Sequence, residues 1–472
     1  MDFRRMSVSQ IAADVRARKV SAREVVAHSL QVIEAHNPRI NAFVAFDGDA
    51  ALEAARRVDE LVAAGGDPGP LAGVPIGVKD LEDATGFVTS HGSALFATEK
   101  PSTRDSPLVE RLRAAGCVIV GKTNTPEFGW KADTENSTFG RTANPWRLAN
   151  SAGGSSGGTA AALACGMIPL GTGSDGGGSI RIPSSCCGLS GVKPSLGRVP
   201  VGGADPPGWP LLSTRGPMAR RIADVVAALD VVVAPDPTDL TSLPRPEASW
   251  PAAVEDARLP SRVAWSATLG YAPVDKEVRS LCERALRALE SMGTEVVEVD
   301  DVFTEDPIHE WLDLTLAYNL RTLFEHRGSE SWAKVDPLLA AQVDQAAKSL
   351  SVIDVVRALD ACHVLNLRLV ELFRDVRLLV TPTCASPPPP VELNGAGWIN
   401  GELDYNWVRF TYPFNMTRSP AASVCVGRTG DGLPVGLQLV GPQHGDLVVI
   451  RSAAALEDAV GFDELPDAFE DR

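Results

Sequence analysis

Two glycine-flanked serines, Ser155 and Ser179, stand 24 residues apart in the stretch SAGGSSGGTAAALACGMIPLGTGSDGGGSIRIPSSCCGLSGVKP, which runs from Ser151 to Pro194. Glycine accepts positive φ and lets the backbone approach a ligand closely, so glycines beside a hydroxyl describe a constrained turn with uncovered N–H groups next to it. Acyl-transfer sites are built this way. Further upstream, Val74, Ile76 and Val78 in LAGVPIGVKD alternate as on a strand and deliver Lys79 at or near its end. Taken alone, Lys79 reads as a strand-end lysine whose head reaches solvent. A serine hydroxyl, however, is a poor nucleophile until a base takes its proton, and at a pKa of about 10.4 only roughly one lysine in 2,500 is neutral at pH 7. A lysine base must therefore be tuned down by about three pKa units, roughly 4 kcal/mol, which burial and positive neighbours can supply.

Other motifs match without the context their chemistry needs. Gly116, Gly121, Lys122 and Thr123 fit GxxxxGKT, but the residues between are the strand-like Cys-Val-Ile-Val, and Pro126 disrupts the helix that should follow. Gly171, Gly173 and Gly176 fit GxGxxG with no acidic residue about 20 positions on. The GxSxG of Gly153, Ser155 and Gly157 would require an acid and then a histidine downstream, and His309, His326, His363 and His444 all lie in unremarked contexts.

The elements that must position these residues follow from periodicity and breakers. Residues 7–36 read as two helices, the second opened by a Ser21/Glu24 capping box ahead of an apolar stripe of Val26, Leu30 and Ile33. Residues 47–64 read as a third helix. A strand is expected at 117–120, and a β-α-β unit over 262–299. Residues 305–376 read as helical, with Trp311, Tyr318, Phe324 and Trp332 expected in the core. The tail returns to strands in AASVCVG and LPVGLQLVG and closes on a helix. The whole chain reads as a single domain, 1–472. Within it lie a helical arm (1–65), a catalytic core (66–235), a variable substrate-side region (236–430) and a C-terminal strand and helix (431–472).

Composition bounds the partners. With 44 Lys+Arg against 60 Asp+Glu, the 472-residue chain carries a formal charge of −16, which works against nucleic acid and anionic membranes. The eight cysteines form no CxxC pair and no Cys/His ligand spacing, which argues against zinc and for a reducing cytoplasm. No secretory h-region and no run of about 20 apolar residues is present, so neither export nor a membrane span is expected.

Six segments then coincide in order: GVPIGVKD around Lys79, GKTNTPEFG, GGSSGG over Gly153–Gly158, DGGGSIRIP over Asp175–Pro183, GVKPSLGRVP and DGLPVGLQLVG. Together they resemble the amidase signature family of serine hydrolases over nearly the whole chain. The resemblance implies an α/β fold with a large, mostly parallel, twisted (mixed) sheet covered by helices on both faces. It implies hydrolysis of a small-molecule carboxylic amide with no metal or organic cofactor. By position, Ser179 is then the nucleophile and Lys79 the base. Ser155, following a cis peptide bond from Gly154, relays the proton. The N–H groups of Gly176, Gly177, Gly178 and Ser179 form the oxyanion hole, where one donor is worth about 3–4 kcal/mol. Ser156, Asp175 and Arg181 fall at supporting positions, the last two as an ion pair that holds the turn rigid. Gly129 and Trp130, with loops 200–217 and 384–415, are candidates for the acyl pocket. A homodimer is left open as the assembly. The alternative is a glutaminase-type component of a tRNA-dependent amidotransferase complex, although residues 208–218, GWPLLSTRGPM, lack the SLDQ-like run expected of it. Ser174, Arg418 and Cys425 depart from the family's usual threonine, glycine and proline. They are expected not to touch the three catalytic residues but to bear on the C-terminal side of the pocket.

Overall fold

Ser7 and Ser21 open the first two helices, α1 (Val8–Arg16) and α2 (Ala22–Ile40), by accepting the N–H groups of Gln10 and Glu24. Glu24 completes the expected capping box, and Val26, Leu30 and Ile33 are buried along α2. Asp47 caps α3 (Gly48–Ala63). The computed structural model to which these elements belong describes residues 1–203 and 206–466. Ala204 and Asp205 of the 200–217 loop, and residues 467–472 of the C-terminal segment, lie outside the described residues.

The strands β1 (Phe43–Phe46), β2 (Pro75–Lys79) and β3 (Val118–Thr123) come next, with α4 (Pro107–Ala114) before the last. A small hairpin of β4 (Glu135–Asn136) and β5 (Gly140–Arg141) precedes the glycine-rich stretch. That stretch folds as α5 (Gly157–Ala164), β6 (Leu170–Asp175), α6 (Arg181–Cys187) and β7 (Gly191–Lys193), and β8 (Thr214–Ala219) follows. Five of these strands form a sheet in the order β1-β3-β2-β6-β8. β2 runs parallel to β3 and β6, so Lys79 and Asp175 end neighbouring strands at the same edge of the sheet. Ligand sites of α/β sheets lie beyond such carboxyl ends. Gly121, Lys122 and Thr123 belong to β3, and Gly171 and Gly173 to β6, so neither phosphate-loop pattern is a loop.

After α7 (Ile222–Val232) and α8 (Trp250–Glu255), the expected β-α-β unit forms from β9 (Arg262–Trp265), α9 (Lys276–Ser291) and β10 (Glu295–Glu298). Three long helices follow, α10 (Ile308–Leu323), α11 (Pro337–Ser349) and α12 (Val352–Leu372). Then come β11 (Leu379–Pro382), a hairpin of β12 (Gly397–Ile399) and β13 (Glu402–Asp404), and α13 (Pro413–Met416). The chain closes with β14 (Ala421–Arg428), β15 (Pro434–Val440) and α14 (Asp446–Val460). The second sheet has the order β10-β9-β11-β15-β14-β7, and an antiparallel bridge between Ser190 and Ala219 links it to the first.

The expected mixed α/β sheet is what forms, with parallel pairing confined to two blocks, β3-β2-β6 and β10-β9-β11. The other pairings in these two sheets are antiparallel. Connection length accounts for part of this: residues 429–433 between β14 and β15 are too few for the crossover that a parallel neighbour needs. A continuous apolar core draws on both sheets and on α1, α2, α7, α9 and α14. The expectation that the aromatics of 305–376 are core holds in full at none of the four, since Tyr318 and Trp332 are only half-buried. Phe324 is 60% exposed, and Trp311 faces a cavity, because α10 packs over the open end of the first sheet instead of into its core.

Candidate active site

Four charged side chains, Lys79, Lys122, Lys193 and Arg181, rank among the largest fully buried groups of the molecule. Burying a charge is costly unless it is satisfied, so each one demands an account. Lys122 meets Asp80 at 3.3 Å and donates to the Glu82 carbonyl and to Thr89 Oγ1 at 2.6 and 2.9 Å. Arg181 forms a bidentate pair with Asp175. Lys193, pushed down to about 7 by burial and by the nearby Arg181, donates to the Pro194 carbonyl.

Lys79 differs from these in that serine hydroxyls surround its head group. The Nζ lies 2.7 Å from Ser155 Oγ, 2.9 Å from Ser156 Oγ and 2.9 Å from Ser174 Oγ. Burial pushes its pKa well below the usual lysine value, and the positive charge of Arg215 pushes the same way, against Glu82 and Asp175. The backbone places it firmly: the Lys79 N–H donates to Thr172 Oγ1 on β6 at 2.9 Å. A neutral amine has two N–H donors and one lone pair, and three hydroxyls can meet that demand. Ser156 Oγ has its own proton directed to the Ser174 carbonyl at 3.4 Å, so it accepts from Lys79. Ser155 can then donate to the lone pair.

The peptide between Gly154 and Ser155 is cis, as the resemblance implied. Ser156 N–H donates to the Ser179 carbonyl at 3.3 Å, which ties the two serine turns together. Ser179 lines a cavity of about 860 Å³ at the same place. Among the described residues no direct hydrogen bond joins Ser155 to Ser179.

The glycine turn after β6 is fastened from many directions. Asp175 and Arg181 are both fully buried, with Nη2 to Oδ1 at 2.8 Å and Nε to Oδ2 at 2.9 Å. Burial would raise the Asp175 carboxyl, but the charge and hydrogen bonds of Arg181 outweigh it and hold the group well below the usual carboxylate range. Arg181 also donates to Gln438 Oε1 at 2.6 Å and Asn415 Oδ1 at 2.7 Å. Asn415 Nδ2 donates to the Asp175 carbonyl at 2.7 Å and to its Oδ1 at 2.9 Å. Gly178, at φ 128°, gives its N–H to Asp175 Oδ1 at 2.8 Å. That donor is therefore already committed, whereas the N–H groups of Gly176, Gly177 and Ser179 take no protein hydrogen bond among the described residues. Trp311 Nε1 donates to the Gly176 carbonyl at 3.0 Å and Thr411 Oγ1 to that of Gly177 at 2.6 Å, which fixes the facing of both peptides.

The family model described as Amidase matches residues 24–449. The chain belongs to the amidase signature family. It is 37% identical over 468 residues to an acylamidase of Rhodococcus erythropolis, covering 96% of this chain and 95% of that one. It is also 35% identical over 495 residues to a glutamyl-tRNA(Gln) amidotransferase subunit from Salinispora arenicola, covering 98% of each. Among solved structures, a bacterial aryl acylamidase of the amidase signature family superposes with a TM-score of 0.92 at 29% identity, over 99% of both chains. The protein is a hydrolytic enzyme acting on amides.

Several site residues of this amidase escape sequence reasoning. The expectation that Ser174 does not touch the three residues expected to be catalytic fails: it contacts Lys79, because its place on β6 beside β2 points the hydroxyl at the lysine head. Arg418 and Cys425 do not line the cavity. Arg418 takes the positive φ of 59° that a glycine would occupy without strain, and Cys425 is buried in β14 next to a register shift. The cavity wall includes the expected Gly129 and Trp130, Trp209 from the 200–217 loop, and Trp407 and Tyr412 from the 384–415 loop. It also includes Trp311 of α10, which no local signal marked. Trp311 packs edge-on to Trp209 at 5.8 Å between centroids and lies tilted against Tyr412 at 5.5 Å. Gly129, at φ 72°, is glycine for a second reason: a Cβ there would come within 3.0 Å of Ser155 Oγ.

Proposed function

We propose that this amidase cleaves R–CO–NH–R′ through an ester on Ser179, with Ser155 as proton relay and Lys79 as base. The observation that carries the reading is a fully buried lysine whose partners are serine hydroxyls. As Ser179 Oγ attacks the carbonyl carbon, its proton passes to Ser155 Oγ, and the Ser155 proton passes to the Lys79 lone pair. The C=O π pair moves onto oxygen. The free N–H groups of Gly176, Gly177 and Ser179 are the donors best placed for that oxyanion, while Gly178 serves by clamping the turn to Asp175. When the C–N bond breaks, the amine nitrogen takes the relayed proton and leaves. Water then attacks the ester, gives its proton to the same relay, and releases the acid and Ser179. The aromatic wall of Trp130, Trp209, Trp311 and Tyr412 suits an uncharged, apolar acyl or aryl group.

The amidotransferase relatives support a second reading, a glutaminase component that works within a complex. One experiment addresses both. The purified chain is expected to hydrolyse simple aryl and alkyl amides unaided, and a fluorophosphonate is expected to add one label on the peptide holding Ser179. Hydrolysis confined to glutamine in the presence of partner proteins would favour the second reading. Labelling that survives in Ser179→Ala would remove Ser179 from the nucleophile's role.

A further inference from the structure

The helix α12 is apolar on two faces. One face carries Ala358 and Leu369, buried against the protein, with Val355, Cys362 and Leu365 packed beside them. The other face looks outward and is apolar as well: Ile353 is 57% exposed, Val356 46%, Leu367 52% and Val370 49%. Val352, Leu359 and Val364 add to it from the flanks. Isolated exposed apolar residues need no explanation, but clusters of them at both ends of one helix face mark an interaction surface.

The spacing of the strip indicates its occupant. Positions 353, 356, 360, 363, 367 and 370 alternate steps of three and four, the seam of a left-handed helix pair. The outer positions are apolar, and the two central ones are Asp360 and His363, both exposed. Rotating a second copy about a two-fold axis between Asp360 and His363 sets Ile353 against Val370 and Val356 against Leu367. The same rotation sets Asp360 against His363 twice. A parallel arrangement would instead oppose Asp360 to Asp360. An isologous contact requires this kind of self-complementarity, and a polar pair within an apolar seam fixes register. A lipid surface suits the strip poorly, since an acidic residue sits in its middle and the chain carries a formal charge of −16.

We infer that the outward face of α12 is a homodimer interface, in which two α12 helices pair antiparallel about a two-fold axis through the Asp360/His363 layer. Sedimentation of the full chain tests this. The wild type is expected at twice the 49.9 kDa of the chain, and Leu367→Glu at half the wild-type mass with an unchanged circular dichroism spectrum. His363→Asp places two carboxylates in each central layer and is expected to give monomer. Combining it with Asp360→His restores the opposed pair and is expected to restore the dimer. A wild type that stays monomeric at every concentration overturns the inference. So does a dimer that persists in Leu367→Glu, or a double exchange that fails to recover. Monomer that co-sediments with phosphatidylcholine vesicles and loses this in Leu367→Glu would assign the face to lipid instead.

Discussion

At the scale of single residues, the proposed mechanism depends on how much the Lys79 ammonium is disfavoured. Two side chains act on it in opposite senses. Ser174 Oγ accepts from Nζ and so favours the charged form, while Arg215, whose Nε pairs with Glu82 Oε1 at 2.5 Å, disfavours it. In the proposed mechanism the base must be neutral, so the rate should rise as pH increases through the lowered Lys79 pKa. Ser174→Ala removes one acceptor from the ammonium. A hydrogen bond to a charged group is worth about 1.5–3 kcal/mol, so the rising limb of the pH–rate profile is expected to move toward acid by about one to two pH units. Ser174→Thr, which keeps the hydroxyl, should leave it in place. Arg215→Gln removes a positive neighbour and releases Glu82, and both effects should move the limb toward alkali. Profiles of kcat/KM in the three variants test this, and movement in a common direction would contradict the assignment of Lys79 as base. Lys79→Ala itself should lose activity by about 10²–10⁴-fold.

At the scale of elements, the glycine turn between β6 and α6 works because distant segments hold it. Asn415 on α13 and Gln438 on β15 reach Arg181 and Asp175 across more than 230 residues of chain. Asn415→Ala would leave the Asp175 carbonyl and one Arg181 N–H without a buried partner, which should lower stability by about 2–4 kcal/mol in denaturant titrations. It should also depress kcat more than it raises KM, since in the proposed mechanism the turn presents the donors for the transition state; a change confined to KM would place Asn415 in substrate binding. This division marks what the sequence made legible. Lys79, Ser155 and Ser179 sit in short local motifs, and β2, β3 and the Ser21/Glu24 capping box follow from alternation and end signals a few residues long. Asn415, Gln438, Arg215 and Trp311 act through tertiary neighbours, and nothing within about ten residues of them encodes the contact. Beyond the β9-α9-β10 unit, strand direction in the second sheet was equally hidden, because it depends on which strands become neighbours.

At the scale of the whole molecule, the two sheets meet where Ser190 bridges Ala219, and a helical layer closes over that junction. Glu457 on α14 accepts from Ser190 Oγ and from the Ile222 N–H that begins α7. Asp224 on α7 accepts in turn from the Val8 N–H of α1 at 2.7 Å. These carboxylates therefore stitch the N-terminal arm, the junction and the C-terminal helix together. Burial raises both, Asp224 to about 6 and Glu457 to about 7, with their hydrogen bonds and Arg221 opposing the rise. A carboxyl whose folded pKa is raised contributes its full stability below its unfolded value of about 4.5 and loses it as pH climbs toward the folded value. For Glu457 the loss spans about pH 4.5 to 7 and amounts to about 3 kcal/mol. Glu457→Gln keeps a side-chain acceptor for the Ile222 N–H and removes the titration. Its stability should match wild type near pH 4.5 and exceed it by about 3 kcal/mol above pH 7. Urea unfolding of both proteins across that range measures the difference directly, and curves that run parallel would mean that Glu457 is ionised at no cost in the folded state and that the junction is held by packing alone.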